Sequence, residues 1–213
     1  MDLCLQNKVI VISGNTYSNL LNLIRVLSDE GAIVIIAGIV KDIPKLKKEI
    51  EISGRSVILS GIKLDHPADC ENAVQTIIKE YGVIDGLVNL TGLNEYSGLR
   101  SAAVFLESLQ KNLVQYYLLT HFALPYLKKS AGAVVNISFN SNEKEKTNSV
   151  IHAASKGGIN ALTREWAVEL LKYRIRVNAI LAEEYVTEMS NAVAFLLSKR
   201  SSHTTGQLIR FDG

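Results

Sequence analysis

Seven short apolar runs, separated by stretches with helical periodicity, constrain this chain more than any other feature. The runs fall at residues 9–13, 33–37, 56–59, 86–90, 133–138, 175–180 and 207–211. Several are β-branched and almost unbroken in apolar character, such as V-I-V-I-S and I-V-I-I-A. A strand with one wet face alternates apolar and polar residues, whereas a strand covered on both faces does not need to. Between the runs, apolar residues recur on helical faces. These are Leu20, Leu23, Ile24 and Leu27, then Val74, Ile77, Ile78 and Tyr81, then Leu106, Leu109, Leu113 and Tyr116, and finally Ile159, Leu162, Trp166 and Leu170. The repeated β-then-α order implies right-handed crossovers. It predicts an α/β fold: a Rossmann-like, doubly wound parallel sheet of about seven strands in three α/β/α layers.

A chain of 213 residues, 47% hydrophobic and 21% charged, suits one such domain with a substantial core. No repeat or linker divides it, so residues 1–213 are expected to form a single unit. The net charge of +2 gives no electrostatic reason to expect nucleic acid or an anionic membrane as partner. The longest apolar run, at 32–40, falls far short of the roughly 20 residues that cross a bilayer. No charged segment with a following apolar stretch opens the sequence, so no export signal is expected. Cys4 and Cys70 lack paired or metal-like spacing and are expected to be reduced thiols in the cytoplasm. His66, His121 and His203 have no partners at metal-ligand spacing. The charged stretch at 140–148, with Glu143, Lys144, Glu145 and Lys146, reads as a solvated loop.

Several separated segments together resemble the short-chain dehydrogenases/reductases, over essentially the whole chain. Ser13-Gly14 follows the first strand, and Asp65 ends the third βα segment in L-D-H. N-L-T-G at 89–92 follows the fourth strand, and Asn112 sits on a long helix. Lys156 comes early in another helix, I-R-V-N-A at 175–179 forms the sixth strand, and T-T-G-Q at 204–207 leads into the last. T-G-L-N-E at 91–95, L-T-R-E-W-A-V-E-L-L at 162–171 and S-S-H-T-T-G-Q at 201–207 look like the L-fucose dehydrogenase branch. That branch oxidises sugars with a nicotinamide cofactor.

The resemblance implies a site for NAD or NADP. Glycines at the first βα turn allow the backbone to approach the pyrophosphate at a helix N-terminus. The family pattern is T-G-x-x-x-G-x-G, and this chain reads S-G-N-T-Y-S-N-L at 13–20. Gly14 keeps the first glycine, while Ser18 and Leu20 replace the other two. Ser18 is small and carries a hydroxyl for a phosphate, but Leu20 adds bulk where helix and strand should close up. Neither the ribose-binding carboxylate of NAD enzymes nor the basic residue of NADP enzymes stands after the second strand, where the chain reads A-G-I-V-K-D at 37–42. Asp65 keeps the adenine position, Asn89 and Gly92 keep two places of the family's N-N-A-G, and Thr187 keeps the place near the nicotinamide amide. These departures point to weakened or lost nucleotide binding.

The chemical residues depart further. In the family a tyrosine exchanges a proton with the substrate oxygen, a serine hydroxyl holds that oxygen, a lysine lowers the tyrosine's pKa and an asparagine supports a relay water. The serine position is Phe139 and the tyrosine position, thirteen residues on, is His152. Asn112 and Lys156 keep the family's types. Phe139 donates no hydrogen bond. Ser138 is adjacent, but successive strand residues point to opposite faces. His152 titrates near neutrality, and cationic Lys156 four residues on favours its neutral form. After the sixth strand Ala182 replaces the family's proline, and the residues after Thr187 resemble the helix beyond the usual substrate lid, so the lid is expected to be shortened.

Three readings follow. One is a catalytically impaired family member, a pseudoenzyme. Another is a working oxidoreductase acting on a sugar or alcohol through His152 and Lys156. The third is a structural subunit paired with an intact paralogue. The family implies a homo-oligomer, dimer or tetramer, with Leu109, Leu113, Trp166 and Leu170 as candidates for a helical interface.

Overall fold

A computed structural model describes residues 2–14, 17–38, 57–60, 64, 66–90, 101–139, 150–182 and 187–211. Seven strands form one parallel sheet: β1 (Val9–Ser13), β2 (Ile33–Ala37), β3 (Val57–Ser60), β4 (Gly86–Asn89), β5 (Ala133–Phe139), β6 (Arg176–Ala182) and β7 (Leu208–Phe211). Their order is β3-β2-β1-β4-β5-β6-β7. Every neighbouring pair is parallel, with registers such as Val9↔Ile33, Ile10↔Gly86 and Ala133↔Arg176. The seven apolar runs locate these strands to within one residue or so at each end.

Around the sheet lie α1 (Tyr17–Asp29), α2 (Pro67–Tyr81), α3 (Ala102–Leu109), α4 (Gln115–Ser130), α5 (Val150–Glu169) and α6 (Thr187–Leu197). Strand alternation divides the core in two. Ile10 and Ile12 of β1, Val34 and Ile36 of β2, and Val135 and Ile137 of β5 pack with Leu23, Ile24 and Leu27 of α1 and with Met189, Val193 and Ala194 of α6. On the opposite face, Val9, Val11, Ile35, Leu87 and Val134 pack with Val74 and Ile77 of α2, Tyr116 and Leu119 of α4, and Ile159 and Trp166 of α5. Both faces are therefore dry, which explains why the strands do not alternate in sequence.

Local chemistry sets the helix ends. Pro67 opens α2, where its missing N–H costs nothing, and Gly82 closes it in the left-handed region at φ 72°. Ser101 caps α3 by accepting from the Val104 N–H at 3.3 Å. The T-T-G-Q loop is clamped to β6: Gly206, at φ 72°, donates its N–H to the Val177 carbonyl at 2.7 Å, and the Asn178 side chain binds Thr204 O and the Gln207 N–H.

One expectation is corrected. The residues around Asn112 do not form a single α-helix, because a π segment, Gln110–Val114, joins α3 to α4. A π turn inserts one residue and rotates everything before it relative to everything after. Leu106, Leu109, Leu113 and Tyr116 consequently do not share one core face: Leu106 is 66% exposed while Tyr116 is buried. Trp166 and Leu170, expected as interface candidates, are buried within the chain. The exposed large apolar residues on these helices are instead Val104, Leu106, Tyr117, Val150 and Val168, with Leu171 just beyond α5.

Candidate functional site

The sheet order reverses between β1 and β4, each of which pairs with the other and then runs outward. In doubly wound sheets the crevice beyond the carboxyl ends of such strands is where ligands bind. Gly14 follows β1 at this point. Its φ of +155° suits glycine, and a β-carbon there would stand 3.0 Å from the Leu90 carbonyl oxygen at the end of β4. The Leu90 N–H donates to Ser13 Oγ at 3.2 Å, and the Gly14 N–H donates to Ala37 O at 3.1 Å. Three strand ends are thus tied together beneath the crevice. Glycine at position 14 is thus required by the close approach of the β1 end to the Leu90 backbone.

Asn89 ends β4 fully buried. Its Nδ2 donates to Asn136 Oδ1 at 2.9 Å and to Thr120 Oγ1 at 3.1 Å. Asn136 Nδ2 donates onward to Thr163 Oγ1 at 2.9 Å, whose hydroxyl donates to Ile159 O at 2.8 Å. Two strands and two helices, α4 and α5, therefore share one buried polar chain below the site. Asn89 Oδ1 remains without a hydrogen-bond partner. The Tyr116 hydroxyl adds a bond to Ile137 O at 2.7 Å, anchoring α4 near the end of β5.

His152 and Lys156 lie one turn apart on α5, both half-buried. Asn112 sits in the π segment, 8% exposed, with its Nδ2 on the Ser108 carbonyl at 2.9 Å. The π segment packs against α5. Gly158 permits this, since a β-carbon there would meet Leu113 Cδ2 at 2.7 Å. Such π turns inside helices recur at functional sites. Phe139 is the last residue of β5, in register with Ala182 of β6. The adjacent Ser138 is buried, and its Oγ has no hydrogen-bond partner. The same holds for Ser155 Oγ on α5. Ser18 lies in the first turn of α1, and Thr187 is the first residue of α6. Asp65 and Gly92 lie outside the described residues.

Residue types alone did not reveal the Asn89–Asn136–Thr163 chain or the unpartnered Ser138 hydroxyl. The asparagine in N-I-S at 136–138, on a strand otherwise apolar up to that point, was the available signal. Among the described residues, no group of three His, Cys, Asp or Glu side chains could hold a metal ion, and no helix is long and apolar enough to cross a membrane.

A parallel, doubly wound sheet whose order reverses between β1 and β4, with glycine at the β1 end, is the architecture of the dinucleotide-binding folds. The sequence pattern of the short chain dehydrogenases matches residues 8–194, and the chain belongs to that family. It is 30% identical to the L-fucose dehydrogenase of Bos taurus over 81% of this chain, a match that spans 64% of that protein. The crystal structure of Cj0485 dehydrogenase superposes with a TM-score of 0.90 at 26% identity, covering 99% of this chain and 94% of that one. The NADH-dependent reductase A1-R′ in complex with NAD also gives 0.90, at 25% identity, covering 99% and 97%.

Proposed function

We propose that this chain is a catalytically impaired short-chain dehydrogenase/reductase, a single domain over residues 1–213 that keeps the nucleotide scaffold and has lost the proton-transfer chemistry. The observation that carries this reading is the pair Phe139 and His152. Phe139 ends β5 and offers no hydrogen bond to a substrate oxygen; His152 stands one turn before Lys156 in place of a phenol. A shortened lid fits the same reading. Only residues 183–186 separate β6 from α6, and Met189, Val193 and Ala194 of α6 belong to the core rather than to a cover. Without a cover, water exclusion over the site is reduced.

Nucleotide binding, to NAD or NADP, is proposed to be weak. Gly14, Ser18, Asp65, Asn89, Gly92, Lys156 and Thr187 would hold the cofactor, and Leu20 works against it. A bound nicotinamide supplies the hydride acceptor or donor. Lys156 would bond its ribose, and Asn112 would support a relay water. The substrate class is a small sugar or alcohol, with L-fucose the first to try. Exposed Tyr117, Val168 and Leu171 support a homo-oligomer, dimer or tetramer, or a structural pairing with an intact paralogue. The exposed free thiol of Cys4 supports a reducing cytoplasmic setting.

A working oxidoreductase using His152 and Lys156 is the second reading. The retained Asn112 and Lys156 favour it. Fluorescence titration with NADH and NADPH, then turnover of L-fucose with NAD and NADP, separates the two. The impaired reading expects weak binding and no turnover, with Phe139→Ser/His152→Tyr raising turnover by about a hundredfold or more. Turnover by the wild-type chain that His152→Ala abolishes would establish the second reading instead.

A further inference from the structure

A second cavity, of about 530 Å³, opens at the opposite end of the sheet from the Gly14 crevice. Lys8, Asp85, Gly132 and Ile175, which line it, immediately precede β1, β4, β5 and β6. Its volume falls in the range of small-molecule sites, roughly 300–1,000 Å³. Leu171, 60% exposed, supplies the accessible apolar surface of the lining, above a floor of buried Leu5, Ile10 and Leu197.

The charges on the rim do not balance. Asp85 is the acidic residue of the lining, and it is already neutralised: Lys8 Nζ stands 2.8 Å from its Oδ1, and the Val9 N–H donates to its Oδ2 at 2.9 Å. The Arg176 guanidinium is turned onto the carbonyls that end α6. Arg174, Lys199 and His203 also line the cavity, all exposed, and none has an ionic or hydrogen-bonded side-chain partner among the described residues. Arg174 is held at the rim by a left-handed backbone, φ 59°, whose N–H donates to Leu171 O at 2.8 Å. Two permanent cations and an imidazole beside a low-dielectric wall focus a positive potential into the cleft.

We propose that this cleft binds a phosphate-headed amphiphile. Arg174 and Lys199 take the dianionic head, with Arg174 able to do so through two parallel N–H bonds, and exposed Leu171 takes the apolar part. A lone inorganic anion leaves the Leu171 side chain wet, and a neutral apolar molecule leaves the cations unused.

The test titrates the full chain with 1-naphthyl phosphate and follows naphthalene fluorescence. Saturable one-to-one binding is expected, weakening with ionic strength, with 1-naphthol and inorganic phosphate each about tenfold weaker or worse. Arg174→Gln/Lys199→Gln should weaken 1-naphthyl phosphate by about tenfold or more while leaving the thermal midpoint and the NADH titration unchanged. Sedimentation with phosphatidylcholine vesicles containing phosphatidic acid separates the two sources of such a head. Sedimentation lost in the double variant places the head on a lipid; soluble binding without sedimentation places it on a free metabolite. Absence of saturable binding in both arms, equal binding by the double variant, or displacement of 1-naphthyl phosphate by NADH would overturn the proposal.

Discussion

Asn136 on β5 accepts a 2.9 Å hydrogen bond from the side chain of its cross-strand neighbour Asn89 on β4, and both are fully buried. Because Asn136 then donates to Thr163 of α5, the helix that carries His152 and Lys156 is positioned by a polar chain that begins at the end of β4. Removing one member strands the others in a dry interior. Asn136→Ala should cost about 1–3 kcal/mol, read as a shift in the urea midpoint. Asn89→Ala and Asn136→Ala together should cost less than their sum, with a coupling of about 1 kcal/mol. Strict additivity would show that the two amides act independently.

Gly132 and Gly157 should respond to alanine in opposite directions. A β-carbon on Gly132 would collide with the Asp85 backbone carbonyl oxygen, which the sheet prevents from yielding. Gly132→Ala should therefore destabilise the fold by several kcal/mol or prevent its expression as folded protein. At Gly157, inside α5 and exposed, a β-carbon meets nothing within 4 Å. Gly157→Ala should add about 0.5–1 kcal/mol by removing helix entropy cost. Thermal melts of both variants check the pair.

Arg176 closes the C-terminal end of α6. Its guanidinium donates to the carbonyls of Leu196 (2.6 Å), Leu197 (3.3 Å), Ser198 (3.0 Å) and Ser201 (3.2 Å). Burial lowers its pKa from the ordinary arginine value, but guanidinium stays protonated throughout the accessible range. Arg176→Gln should cost about 3 kcal/mol, because several carbonyls lose a charged donor at once. Arg176→Lys should recover less than half of that, since an ammonium cannot span the same fork. Denaturant midpoints of the two variants give the comparison directly.

Tyr173 should ionise early. Lys128 Nζ lies 4.1 Å from its ring centroid and Lys172 Nζ 5.2 Å. The hydrogen bond and charge of Lys128, joined by the charge of Lys172, hold its phenol below the ordinary tyrosine value. The folded pKa is depressed, so the stabilisation is present above the unfolded value of about 10 and is lost as pH falls through the folded one. At neutral pH the phenol is protonated in both states, and stability there should not depend on Tyr173. Ultraviolet titration of phenolate absorbance should show one early component, and Lys128→Ala should move it back toward the ordinary range, with Lys172 still lowering it.

What the sequence by itself determined is the three-layer α/β/α class and the positions of the strands along the chain. Several strands are β-branched runs whose burial on both faces is written in local composition, and the helices at 17–29, 67–81 and 150–169 carry their stripes within a dozen or so residues. Gly14 was legible because a glycine after a strand has few other uses, and Phe139 and His152 because their departure from a familiar spacing is itself local. Only the tertiary structure decided what lies between elements. The phase break at Gln110–Val114 reverses the expected placing of Leu106, and no single residue there marks it. The Asn89–Asn136 and Asn136–Thr163 bonds join residues 47 and 27 positions apart. The cationic cleft gathers Arg174 from before β6 with Lys199 and His203 from before β7, so its charge appears only when the sheet brings those segments together. Hydrogen bonding and charge balance depend on distance in space, which composition and periodicity do not encode.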